Sequence, residues 1–101
     1  MSATLLVRGV IQLGRLSEFA KEVRAFCEYR RKCGWAVPEV LYGLSGPMNT
    51  VLMIFRYDTL SAWETECAAE RSDGEYGRMA GRLPYADGSI VYELYQEQGD
   101  G

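Results

Sequence analysis

Between residues 40 and 64 the chain runs VLYGLSGPMNTVLMIFRYDTLSAWE, and this stretch restricts the fold more than any other. Residues 40–44 are apolar and aromatic. Residues 45–49 carry the Gly-Pro and Asn punctuation of a turn. Residues 50–57 are β-branched, aliphatic and aromatic, the composition of a central strand. Two such runs joined by so short a turn pair as an antiparallel hairpin. Asp58-Thr59 then offers a helix N-cap immediately before Leu60 and Trp63.

The flanks of this hairpin follow from hydrophobic period. Residues 4–12 read as a strand in which Leu5, Val7 and Ile11 alternate with Leu6, Arg8 and Val10. Both faces are mostly apolar, so the strand is expected to be covered on both sides. Residues 15–32 read as a helix with Leu16, Phe19, Ala20, Val23, Phe26 and Cys27 on one stripe. Arg30, Arg31 and Lys32 are assigned to its last turn, where cations complement the helix dipole. Gly34 is the stop. A second helix over residues 59–71 carries Leu60, Trp63, Cys67 and Ala68 as its stripe. Asp73 caps a further short helix reaching Leu83, with Tyr76, Met79, Ala80 and Leu83 inward. Gly74, Gly77 and Gly81 weaken it. Residues 84–88 form a loop and residues 89–96 the last strand. The order is β-α-β-β-α-β, which predicts an α+β, ferredoxin-like fold: a four-stranded antiparallel sheet with its helices on one face. A single domain spans residues 1–96, and residues 97–101 form a polar tail expected to fray.

Composition excludes several partners. The formal net charge is −3 and the basic residues are scattered, so no stripe exists to meet phosphates and nucleic acid is not the expected partner. There is no histidine, and Cys27, Cys33 and Cys67 form no CxxC pair, so no metal site is expected. An odd cysteine count without a signal peptide indicates free thiols in a reducing compartment, and the chain is read as cytoplasmic. No apolar run reaches membrane-spanning length, so no membrane partner is expected.

Helices on one side leave the other side of the sheet open. With Leu5, Val7, Ile11, Val51, Met53, Phe55, Ile90, Tyr92 and Leu94 toward the helices, period two puts Leu6, Val10, Leu52, Ile54, Val91 and Tyr95 on the opposite face. That face is too apolar for water, and a two-fold homodimer packing sheet on sheet is the expected solution. Arg8, Arg56 and Glu93 fall on the same face. They are read as a structural ion-pair network fixing the dimer register, with an anion or substrate site as the alternative.

Val7-Arg8-Gly9, the segment 14–19 opening the first helix, the run GPMNTVLMIFRYDTLSAWE, Glu75-Tyr76, Gly88-Ser89 and Val91-Tyr92-Glu93-Leu94-Tyr95 together resemble the dimeric α+β barrel superfamily. Within it they are similar to NIPSNAP-like proteins. The resemblance covers nearly the whole chain and implies the fold more than a chemistry. Its relatives include cofactor-independent antibiotic-biosynthesis monooxygenases, polyketide cyclases, haem-degrading enzymes and isomerases. The missing histidine sets aside models that use a proximal haem histidine or histidine acid–base chemistry. Neither a metal nor an organic cofactor is expected.

The resemblance places substrate between sheet and helices, a space expected to be lined by Tyr42, Met53, Phe55, Trp63, Tyr76, Met79 and Tyr92, with Trp35 closing one end. Such a pocket suits a flat hydrophobic molecule held by stacking and tyrosine hydroxyls. The plainer reading of each residue is core filling. Tyr42, Trp63, Tyr76, Met79 and Tyr92 are the substrate-binding candidates, and no catalytic residue is assigned. Three functions follow. The first is a small homodimer that binds or transforms a hydrophobic metabolite, aromatic or polyketide-like, in the manner of a monooxygenase or a cyclase/isomerase. The second is a non-catalytic dimeric module supporting a pathway or partner. The third is a cysteine-based protein.

Overall fold

Strict alternation lays down β1 (Ala3–Val10) and β3 (Thr50–Tyr57) side by side at the centre of the sheet, in the computed structural model, which describes residues 1–99. Asp100 and Gly101, the end of the expected polar tail, lie outside the described residues. The other elements are α1 (Leu16–Lys32), β2 (Glu39–Tyr42), α2 (Leu60–Arg71), α3 (Gly74–Gly81) and β4 (Val91–Gln96). The sheet order is β2-β3-β1-β4, all neighbours antiparallel, which is the ferredoxin-like arrangement read from the sequence.

Register confirms the two-face assignment on the central strands. Leu5 faces Phe55, Val7 faces Met53 and Gly9 faces Val51, and this set lies under the helices. Ala3, Val7, Ile11, Val51, Met53, Phe55 and Tyr57 are buried against Phe19, Val23 and Phe26 of α1. The same faces hold at β4, with Leu94 opposite Leu5 and Tyr92 opposite Val7, but the helix cover does not. Ile90, Tyr92 and Leu94 were expected beneath the helices, and all three are exposed. β4 is an edge strand on the side where the short α3 leaves the sheet uncovered.

The caps explain where elements begin and end. Thr59 accepts the Ala62 N–H and starts α2; Asp73 accepts the Tyr76 N–H and starts α3. Gly34, at φ +75°, turns α1 off, with the Trp35 N–H donating back to the Arg30 carbonyl. β2 is shorter than expected: its last bond to β3 is Gly43 N–H to Thr50 O, and Leu44 then stands fully in solvent. β4 starts two residues late because the Ser89 hydroxyl replaces a ladder partner, accepting the Val10 N–H and donating to the Val10 carbonyl. The loop before it is not free. Gln12 N–H donates to Pro84 O, Ala86 N–H to Val10 O, and Ile11 bridges Tyr85.

This docking explains the glycine inside β1. The Tyr85 ring lies on Gly9, where a Cβ would sit 2.4 Å from Cε1 and 2.5 Å from Cδ1. A strand glycine marks such a close approach. Phe19, edge-on at 5.4 Å, limits how far the ring can retreat. Gly9→Ala is therefore expected to cost about 1–3 kcal/mol in urea unfolding. An unchanged midpoint would mean that Tyr85 swings clear at no cost.

Candidate functional site

Two sites flank α3, one polar and one apolar. The polar one is built around Arg30, which is almost completely buried. It was expected in the exposed last turn of α1. It instead continues the apolar stripe, following Phe19, Val23 and Phe26 at intervals of four, three and four residues. Its Nε donates to the Ala36 carbonyl, Nη2 to Glu66 at 2.5 Å, and Nη1 to the Tyr76 hydroxyl at 2.8 Å and to Glu70 at 3.3 Å. Its guanidinium carbon lies 4.8 Å from the Phe55 ring centre and within 6 Å of the Phe26, Trp35 and Tyr76 rings. Glu66 also accepts the Tyr57 hydroxyl and the Ala36 N–H, so both its oxygens are used.

Arg30 thus turns Glu66 and Glu70 inward, four residues apart on one face of α2. It also corrects the expected α2 stripe: Trp63, Glu66, Cys67 and Glu70 face in, and Ala68 is exposed. Beside this cluster an open groove of about 720 Å³ runs past Trp35, Tyr57, Thr59, Ala62 and Glu66. Glu66 lines this groove with both oxygens already bonded within the protein.

Burial pushes the Glu70 carboxyl up from its ordinary 4.5, with Arg30 opposing. A carboxyl raised in the folded state binds its proton more tightly there than in the unfolded chain, so it favours folding on the acid side and its charge costs stability as pH rises. Glu70→Gln is expected to remove that fall. The check is urea unfolding at several values between about pH 4.5 and pH 7, where parallel slopes for both proteins would show Glu70 to be uncoupled from folding.

The apolar site is a cavity of about 100 Å³ between α3 and the sheet. Val7 and Met53 form its floor and Phe26 its inner wall. Tyr76, Ala80 and Leu83 roof it, Tyr85 closes one side, and the exposed Ile90 and Tyr92 stand at the mouth. Among the described residues, no charged side chain lines it. The Tyr76 hydroxyl accepts from Arg30. Burial is the first cause that pushes both wall hydroxyls, Tyr76 and Tyr85, up to about 12, so both are neutral donors at physiological pH.

Of the sequence-derived candidates, Tyr76 and Tyr92 meet at this cavity. Tyr42 stands at the β2 edge with its ring edge-on to Phe19 at 6.2 Å. Met79 is half-buried and lies outside the cavity wall. Trp63 packs against the core away from the cavity, its buried indole N–H without a protein partner. Trp35 closes the polar cluster, edge-on to Tyr76 at 5.2 Å, and not the cavity. Arg8 pairs with Glu93 at 2.7 Å, and Tyr95 donates to the same carboxylate. Arg56 does not join them; it pairs with Glu39, across the β3–β2 boundary. The reading from sequence omitted Tyr85, Glu39 and the Arg30 cluster. Among the described residues, no group of three or more potential ligands could hold a metal ion, and no helix is long and apolar enough to cross a membrane.

No protein-family model matches the sequence, and no curated protein does. Solved structures do match. A NIPSNAP family protein from Agrobacterium tumefaciens superposes with a TM-score of 0.76 at 16% identity, over 98% of this chain and 95% of that one. A NIPSNAP domain protein from Burkholderia xenovorans gives 0.78 at 17%, over 96% and 95%. An antibiotic biosynthesis monooxygenase-like protein from Nitrosomonas europaea gives 0.73 at 12%, over 97% and 91%. The resemblance to NIPSNAP-like proteins read from the sequence therefore holds at the level of the fold, which this chain shares with them over 96–98% of its length.

Proposed function

We propose that the protein binds a hydrophobic, aromatic small molecule in the cavity beneath α3, and that it does so as a homodimer packed through the open sheet face, without metal or organic cofactor. One observation carries the binding reading: the helix-side core is left open where it is roofed by a helix with three glycines in eight residues. Such a roof has weak intrinsic helicity and low local stability, so it can yield to a ligand larger than the resting cavity. Its first turn is pinned through Asp73, which accepts the Tyr29 hydroxyl, and through the bond from Arg30 to Tyr76. The yielding part is consequently the Ala80–Leu83 end, next to the mouth.

The fold it shares with NIPSNAP proteins and an antibiotic biosynthesis monooxygenase-like protein supports a small-molecule role. Aromatic faces and neutral hydroxyls can bind, orient and shield a substrate from water. The second reading, a non-catalytic module, draws on the same chemistry: Tyr76 and Tyr85 both titrate far above neutrality, so neither serves as a base there. The domain bounds of 1–96 and a cytoplasmic location belong to this proposal.

Ala80→Phe tests the site by filling it. Single-ring aromatic probes are expected to raise the melting temperature of the parent and to lose that effect, by at least about tenfold in affinity, in the filled variant. An equal response from both proteins would place the ligand elsewhere, with the open groove past Trp35 and Glu66 the next site to block.

A further inference from the structure

Tyr85 differs from the other buried tyrosines in one respect. Tyr57 donates to Glu66, Tyr29 donates to Asp73, and Tyr76 accepts from Arg30. Tyr85 is one of the residues lining the cavity, and its hydroxyl is buried with no partner among the described residues. A buried polar group left unpaired costs free energy, and native proteins rarely keep one without a use. We propose that Tyr85 is the specificity-determining donor of this cavity, and that its ligand is an uncharged aromatic carbonyl compound. The proposal rests on the binding reading above.

Three observations define the ligand class. The first is position. The Tyr85 N–H donates to Leu83 O, its carbonyl accepts from Gln12 Nε2, and its ring is seated between Gly9 and Phe19. The donor is therefore held fixed while the α3 roof yields, the preorganisation a specificity contact needs. The second is the rest of the wall. Among the described residues none that lines the cavity is charged, and its other hydroxyls are those of Tyr76, already accepting from Arg30, and of Tyr92 at the exposed mouth, so an ionised ligand would be desolvated without a compensating charge. The third is the ring set: Phe26 and Tyr76, tilted against each other at 5.5 Å, present aromatic faces and edges to whatever enters. A neutral phenol gives its proton more readily than it accepts one, because its oxygen lone pair is shared with the ring. An acceptor without a proton of its own, a ketone or aldehyde oxygen, is the matching group.

Acetophenone and α-methylstyrene have nearly the same shape and differ in a carbonyl oxygen against a methylene. Both are titrated into the parent and into Tyr85→Phe. The parent's preference for acetophenone over α-methylstyrene is expected to fall about tenfold in the variant, with α-methylstyrene affinity maintained. Ligand-free Tyr85→Phe is expected to melt at or above the parent temperature, since it loses only an unpaired hydroxyl, so folding does not confuse the comparison. If both compounds bind and the preference is unchanged, the carbonyl assignment is overturned while the cavity reading stands. If neither compound binds either protein, the cavity reading fails and the proposal falls with it.

Discussion

Arg30→Ala is expected to destabilise the protein by about 3–5 kcal/mol, the usual result of removing one partner from a buried ion pair. A small domain has only about 5–15 kcal/mol in total, so much of the chain would be unfolded at physiological temperature. The loss has three sources here. Glu70 loses its cation, and Glu66 keeps only the Tyr57 hydroxyl and the Ala36 N–H. The Ala36 carbonyl loses its donor, which frees the segment between α1 and β2. The space boxed by Phe26, Trp35, Phe55 and Tyr76 is emptied. Arg30→Lys should recover less than half, because an ammonium cannot reach Ala36 O, Glu66 and Tyr76 together while stacking on the rings. Arg30→Met with Glu66→Gln should recover more, since it removes charge from both sides. Urea unfolding followed by near-ultraviolet circular dichroism orders the four proteins. A loss below about 1 kcal/mol for Arg30→Ala would mean that the carboxylates rehydrate through the adjoining groove, as an exposed pair would.

The same residue shows what could and could not be read in advance. The hairpin, both caps and the open sheet face were legible because each rests on a local signal: period two in residues 50–57, Thr59 and Asp73 before helical runs, glycines at helix ends. Arg30 carried a signal too. It sits four residues after Phe26 on the stripe begun by Phe19 and Val23, but a cation beside Arg31 and Lys32 reads as solvent-facing. Its burial depends on Glu66 and Glu70, which no periodicity links to α1. Tyr85 was hidden for a different reason. It lies in a loop, where side-chain direction has no period, and only Gly9, a glycine interrupting an apolar strand, hinted that something large approaches there. Tyr76 and Tyr92 line the same space because a helix stripe and a strand alternation point them there. Trp63 faces the core as its stripe predicts, while Glu66 and Glu70 join that inward face through their pairing with Arg30, and the cavity lies under α3 beyond its reach.

Leu52→Arg is expected to turn the proposed homodimer into a monomer. Leu52 lies at the middle of the open face, opposite Arg8 on β1 and Leu41 on β2. Leu6, Ile54 and Val10 surround it half-buried, and Leu41, Val91 and Tyr95 lie exposed around them. The Arg8–Glu93 and Arg56–Glu39 pairs cross this face already neutralised, so they can be covered without leaving a free charge. An arginine at position 52 has no carboxylate to meet, since Glu93 and Glu39 are taken. It would also stand beside Arg8, adding like-charge repulsion to the cost of burying an unpaired guanidinium. About 3–5 kcal/mol lost from the interface corresponds to roughly 10²–10⁴-fold in dissociation constant. Sedimentation velocity at micromolar concentration is expected to show the parent as a dimer and the variant as a monomer, with the far-ultraviolet spectrum retained. A monomeric parent would refute the dimer outright. A variant that stays dimeric and as stable as the parent would move the interface to the β4 edge, where Tyr92 and Leu94 are exposed on the other side of the sheet.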